Sequence, residues 1–261
     1  MEYRNIEYAC ENGVARIVLD RPDVLNALNR AMVDEILDAV RAIAADDSVR
    51  VLVIRGRGSN FAAGADIGPM VDLTPAEVPG FAYNDAFNAL EDLPVPTIAA
   101  LSGFVLGGGL ELALACDFRI CSKDAKLGSP EIKLGIFPGA GATQRLPKLI
   151  GPSRAKEMIF LGKSIDAETA LRYGLCDRVA EGDPVSEAMD MAAQLARQAP
   201  AAIRIAKGVI NYGLGRDVKT GVAYEEKGFA ELFTTADQKE GMKAFLEKRK
   251  LKLSQNKNEK S

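Results

Sequence analysis

The chain has 261 residues, with 33 Lys and Arg against 36 Asp and Glu and no histidine, for a net charge of −3. That balance excludes nucleic acid as the main ligand, because phosphate binding needs a basic face. Without histidine there is no Ser-His-Asp triad, no Cys-His pair and no His-bound zinc, so a general acid or base must be Asp, Glu, Lys, Tyr or Cys.

Residues 6–10 and Val14–Leu19 flank Asn12-Gly13 and predict a hairpin. Arg21-Pro22-Asp23 breaks the second strand. Asn29 is a predicted cap for a helix over 30–44, with Met32, Val33, Ile36, Leu37, Val40 and Ile43 on one stripe. Val51–Gly56 reads as a strand buried on both faces. A loop over 58–66, a helix around 81–90 and a strand at Thr97–Leu101 follow. The longest apolar stretch, 95–116, contains Pro96, Gly107 to Gly109 and Glu111. It predicts a buried strand, a tight loop and a helix from Leu110, not a membrane span. Phe118–Cys121 is the next short strand. Helices are expected over 152–160, 166–173 and 185–198, then over 204–213, 218–233 and 235–250. The wholly helical pattern from Pro200 sets the expected boundary between a core, 1–199, and a helical domain, 200–261. Cys10, Cys116, Cys121 and Cys176 form no Cys-x-x-Cys and are expected to be reduced, mostly buried thiols. The start, Met1-Glu2-Tyr3-Arg4-Asn5, is charged and lacks an apolar run, so no leader and a cytoplasmic location are expected.

Glu111 is the most unusual residue, in Leu106-Gly107-Gly108-Gly109-Leu110-Glu111-Leu112. One reading is a first-turn Glu satisfying a helix N-terminus. The other is a carboxylate in a dry pocket, its pKa raised by desolvation. Glu131, in Gly128-Ser129-Pro130-Glu131, reads alone as a surface Glu after a Pro turn. As a pair in unequal environments, the two could place an acid beside a base. The triple glycine is not a Walker loop, for no Gly-Lys-Ser/Thr follows, and Gly139-Ala140-Gly141-Ala142-Thr143-Gln144 has Gln where a Rossmann fingerprint needs Gly or Ala. Glycines opening a helix do leave backbone N–H groups bare for an anion or a forming enolate. The small-residue loop Phe61-Ala62-Ala63-Gly64-Ala65-Asp66 could supply a second such amide.

These stretches, together with Asn26-Ala27-Leu28, residues 103–111, Pro130-Glu131, residues 135–146 and residues 240–249, resemble the crotonase superfamily, most closely its bacterial short-chain enoyl-CoA hydratases. The resemblance implies an α/β fold, a spiral of ββα turns followed by a C-terminal α-helical trimerisation domain. It implies an oxyanion hole from the backbone N–H groups of Ala65 and Gly108, with Glu111 and Glu131 holding the water and moving protons. By the same resemblance Ala63, Asp66, Ile67, Gly68 and Gly107 contact the substrate, while Phe245 and Lys248 reach the CoA nucleotide of a neighbouring subunit. The implied reaction is hydration of a trans-2-enoyl-CoA, as in β-oxidation of fatty acids, by a homotrimer or a dimer of trimers. No cofactor or metal is implied, since CoA is part of the substrate. Isomerisation, or hydration of a cyclic dienoyl-CoA, stays open. One relative binds AU-rich RNA through a lysine-rich helix. Here residues 30–50 hold Asp34, Glu35, Asp38, Asp46 and Asp47 against Arg30, Arg41 and Arg50, so neither nucleic acid nor membrane is an expected partner. Gly68 stands where some relatives place a lysine near the CoA phosphates, and Ser129 replaces a glutamine common before Pro-Glu.

Overall fold

The computed structural model describes residues 3–81 and 83–253. Ala82, in the helix expected over 81–90, lies outside the described residues, as do residues 1–2 and 254–261. The chain divides into two compact units, Met1–Ala196 and Arg197–Ser261.

The first unit opens with the hairpin of β1 (Ile6–Glu11) and β2 (Val14–Leu19), in register Ile6↔Leu19 to Glu11↔Val14. Asn12 and Gly13 both take positive φ, 52° and 77°, as the twist-matched two-residue turn requires. Helix α1 (Arg30–Ala45) then starts at Asn29, whose side chain accepts from the Met32 N–H at 2.8 Å. Next come β3 (Val51–Gly56), a short α2 (Val78–Phe81), α3 (Asn84–Glu91), β4 (Thr97–Leu101), β5 (Phe104–Leu106) and α4 (Gly108–Leu114). After these lie β6 (Phe118–Cys121), β7 (Lys126–Gly128), α5 (Ala142–Ile150), α6 (Pro152–Leu161), β8 (Ser164–Asp166), α7 (Ala167–Tyr173), β9 (Arg178–Val179) and α8 (Pro184–Ala196).

Six strands form one sheet in the order β1-β2-β3-β4-β6-β9, parallel throughout except for the hairpin. A smaller sheet has the order β5-β7-β8. The pairs β4/β5 and β6/β7 each give one strand to each sheet before the next helix, which makes a spiral of ββα turns. Alternation of side chains sorts the large sheet's two faces. Ile17, Leu19, Leu52, Ile54, Ala99 and Leu101 pack in the main core with the α1 stripe, including Met32, Ile36 and Val40. Val14, Val51, Val53, Ile98, Ala100 and Ile120 pack on Ala188 and Ala192 of α8. Of the cysteines, Cys116, Cys121 and Cys176 are buried and Cys10 is exposed.

Several boundaries differ from expectation. The helix expected over 81–90 is two pieces, α2 and α3. α4 starts at Gly108, two residues earlier than expected, because Gly107 serves as its cap with φ 52°. α5 was hidden by Pro147 within it. The strands β5, β7, β8 and β9 are too short to leave a pattern.

The second unit holds α9 (Pro200–Gly213), α10 (Val218–Leu232) and α11 (Ala236–Leu246). α9 begins four residues before the expected helix, since Pro200 is a good first-turn residue. α11 ends at Leu246 rather than 250, where Lys248 turns left-handed with φ 54° and Arg249 folds back onto Glu240. Tyr212 and Tyr224 stack at 4.0 Å between α9 and α10. Neither helix buries a residue, and Ile210, Leu214, Val218 and Phe229 are exposed. Among the described residues no helix is long and apolar enough to cross a membrane.

Candidate active site

The site begins with a buried asparagine. Asn26 takes φ 56°, a conformation that asparagine tolerates better than most residues. Its side chain accepts from the Arg21 N–H at 3.0 Å and donates to the Arg57 and Asn60 carbonyls at 3.0 and 2.8 Å. This fixes the turn that delivers Leu28 to the 62–66 loop. The Leu28 N–H donates to the Gly64 carbonyl at 2.8 Å, and the Asp66 N–H donates to the Leu28 carbonyl at 2.7 Å. Ala65 is bracketed between those two bonds. Tyr83 adds a second donor to the Leu28 carbonyl, O–H to O 2.8 Å, in buried surroundings.

Facing this loop is the first turn of α4. The Gly107 N–H donates to the Gly128 carbonyl at 2.9 Å, tying the cap to β7. A Cβ on Gly108 would stand 3.4 Å from the Ala65 nitrogen, so the two backbone amides are neighbours. Neither N–H has a protein acceptor among the described residues. A bare amide at a helix N-terminus beside another in a facing loop forms a ready anion site. A side chain on Gly109 would collide with the Ala62 carbonyl, so that glycine lets helix and loop approach.

Glu111 and Glu131 border the same space. Glu111 is 3% exposed. Its Oε1 accepts from the Ala140 and Ala142 N–H groups at 2.7 and 3.0 Å. Burial pushes its carboxyl above the ordinary range, while the two amides and Arg145 pull the other way. Glu131 opens a 3-10 turn, Glu131–Leu134. Both its oxygens are buried without a hydrogen-bond partner. Burial first, then the Glu111 charge, raises its pKa to about 7. Oε1 of Glu131 would lie 3.0 Å from a Cβ on Gly107, which again requires glycine there. Ala65, Gly107, Gly108, Glu111 and Glu131 are thus gathered in one place.

Of the other expected contact residues, Ala63, Asp66, Ile67 and Gly68 flank Ala65 on its loop, and Phe245 and Lys248 belong to the second unit. The Ala63 N–H is spent on the Leu25 carbonyl at 3.0 Å. Asp66 is paired with Arg21 at 3.2 Å. Ile67 is 48% exposed, and Gly68 opens a short 3-10 turn, Gly68–Met70. Phe245 ends up 83% exposed near the end of α11, with Lys248 in the turn beyond, both in the second unit. Ala140, Ala142, Arg145, Leu28 and Tyr83 belong to the site region but were not singled out as site residues from sequence. The 139–142 stretch had a signal in its run of small residues, yet its amides serve a carboxylate rather than a nucleotide. Among the described residues no group of three or more Cys, Asp or Glu side chains could hold a metal ion.

Comparison with known proteins identifies the family. Residues 9–256 match the family described as enoyl-CoA hydratase/isomerase. The chain is 42% identical over 254 residues to a crotonyl-CoA hydratase of Syntrophomonas wolfei, covering 96% of this chain and 98% of that protein. It is also 42% identical over 255 residues to a short-chain-enoyl-CoA hydratase of Clostridium acetobutylicum, with coverage of 96% and 98%. Among solved structures, enoyl-CoA hydratase subunit I of Geobacillus kaustophilus superposes with a TM-score of 0.93 at 44% identity, covering 97% of this chain and 99% of that one. The spiral is therefore a crotonase fold, and the chain belongs to the enoyl-CoA hydratase/isomerase family.

Proposed function

We propose that the protein catalyses the reversible syn addition of water to a trans-2-enoyl-CoA, giving a 3-hydroxyacyl-CoA. The observation that carries this reading is one space bordered by two bare amides and two carboxylates of unequal surroundings. The thioester oxygen sits between the Ala65 and Gly108 N–H groups, which stabilise the enolate as it forms. One such donor is worth about 3 kcal/mol in a dry site. Glu111, with Oε1 held by two amides, uses its other oxygen to orient and deprotonate the water that attacks C3. Glu131 is protonated below about pH 7 and delivers its proton to C2. A base whose ionised form two amides and an arginine favour, beside an acid whose neutral form burial favours, is the division of labour that hydration needs.

Relatives named for crotonyl-CoA and short-chain enoyl-CoA support a short linear acyl group. In this reading CoA belongs to the substrate, and no metal or redox cofactor takes part. Ala63, Asp66, Ile67, Gly68 and Gly107 are its contacts in the first unit, with Phe245 and Lys248 supplied by a neighbouring chain. That assignment requires an oligomer, which we take to be a homotrimer or a dimer of trimers in the cytoplasm. Exposed Ile210, Leu214, Val218 and Phe229 support assembly, because isolated chains rarely leave so much apolar surface uncovered.

The test follows absorbance of the conjugated enoyl thioester with crotonyl-CoA, longer linear homologues, 3-enoyl-CoA isomers and cyclic dienoyl-CoA. Fastest loss with crotonyl-CoA supports the reading. Turnover of 3-enoyl-CoA isomers or cyclic substrates alone would replace it with isomerisation or cyclic hydration.

A further inference from the structure

One buried charge near the site has no part in the chemistry so far. Arg145, on the first turn of α5, is 9% exposed. Its Nη1 donates to the Ala140 carbonyl at 3.2 Å. Its Nη2 donates to Asn88 Oδ1 at 2.8 Å and to Glu91 Oε2 at 2.6 Å, and its Nε donates to the same carboxylate oxygen at 3.1 Å. Ala140 is the residue whose N–H holds Glu111 Oε1. The 140–142 loop is therefore gripped from both sides, by Glu111 through its amides and by Arg145 through its carbonyl. Gly141 lies between with φ 112°, and any side chain there would collide with the guanidinium. Such a planar fork suits arginine, since lysine offers a point charge with no fixed second donor.

We propose that Arg145, anchored by Asn88 and Glu91 of α3, is a positioning residue that holds the 140–142 loop on Glu111 and so fixes Glu111 as the base of the pair. The inference rests on the hydratase reading. Without the fork the loop drops back, Glu111 loses aligned amides and an opposite charge, and its carboxyl becomes easier to protonate. Among the described residues the charged and titratable groups facing Glu111 are Glu131 from the 3-10 turn, Tyr83 ahead of α3, and Arg145 itself. Only Arg145 favours the ionised form, so its removal has one direction of effect.

The test uses full-length R145Q and R145K. Turnover of crotonyl-CoA is measured across pH, and the protonated-carboxyl infrared band is titrated against an E111Q blank. R145Q should lower kcat about ten- to a hundredfold while KM changes less than about twofold. It should also move the acid limb of kcat/KM, and the infrared midpoint of Glu111, upward by about one pH unit. R145K keeps the charge but not the fork, so its acid limb should return towards wild type while kcat stays reduced. An unmoved acid limb and infrared midpoint in R145Q, whatever happens to kcat, would make the residue merely structural and overturn the inference. If R145Q does not fold, wild-type kcat in R145K overturns it instead. Failure of the wild-type protein to hydrate any enoyl-CoA would sink the hydratase reading, while the infrared titration still decides the grip on Glu111.

Discussion

The loop under Glu111 and the turn that carries Glu131 put two carboxyl groups into one space by opposite means. Around Glu111 each neighbour is tied to another: two amides on one oxygen, Arg145 behind the loop, Asn88 and Glu91 behind the arginine. Glu131 has burial and glycine neighbours, and neither of its oxygens meets a protein partner. Both groups rise above the ordinary carboxylate range, but Glu111 has two loop amides and a cation pulling it back, where Glu131 has its own backbone N–H alone. Unequal roles thus come from unequal wiring, with no difference in residue type.

The amide pair is the common ground of both sides, and breaking it should have the largest effect. G108V should abolish turnover, a loss of about a thousandfold or more, because its methyls would cover the Ala65 nitrogen. Circular dichroism should show a folded chain. An active G108V would remove the oxyanion hole from the mechanism.

E111Q and E131Q should each lower kcat by at least about a hundredfold, with CoA affinity little changed. They should differ in stability. Glutamine at 111 must present an oxygen to two amides and keep its NH2 away from them, whereas glutamine at 131 disrupts no bond. Near-normal crotonyl-CoA hydration by either variant would contradict its assigned role.

A smaller effect concerns pH. Deprotonation of Glu131 should make kcat/KM of the wild type fall as pH rises through about 7. A pH-rate plot flat through that region would mean that Glu131 is not the acid.

The smallest effect is on folding. The folded-state pKa of Glu131 lies above its ordinary value, so the stability it contributes is present below about 4.5 and lost as pH climbs through about 7. E131Q has no such loss. From about pH 5 to pH 8 the wild type should therefore lose on the order of 1–2 kcal/mol relative to E131Q, after allowance for solvent screening. Parallel denaturant midpoints would show that the carboxyl is not desolvated.

Much of this was legible in the residues. The Asn12-Gly13 hairpin, the Asn29 cap and the uninterrupted apolar run of Val51–Gly56 stand where local chemistry puts them, because each signal is contained within a few neighbours. Glu111 attracted notice because a carboxylate in an apolar run needs a reason. What kept Arg145 hidden is that its partners, Asn88 and Glu91 on α3 and Ala140 in a loop, lie about 55 residues before it or on a separate segment. A surface arginine and a buried one look alike until the chain is folded. α5 was hidden because an internal proline, Pro147, ordinarily argues against a helix. In the second unit the apolar stripes were plain, but α9 and α10 bury none of them, so sequence alone could not say against what they pack.

The order of the large sheet bears on how the protein is made. Each strand after the hairpin adds to the strand that most recently joined the sheet, so β3, β4, β6 and β9 extend one edge in the order in which they are synthesised. A growing chain can therefore assemble this sheet from its N-terminus while the rest is still on the ribosome. Throughout, that edge exposes unpaired backbone groups, the kind that recruit a strand from another chain. It is finished by β9, where the Asp177 N–H reaches the Arg119 carbonyl and the Ala180 N–H reaches the Cys121 carbonyl. A nascent chain stalled short of those residues would carry a templating edge, and the three C-terminal helices emerge only after it has been capped.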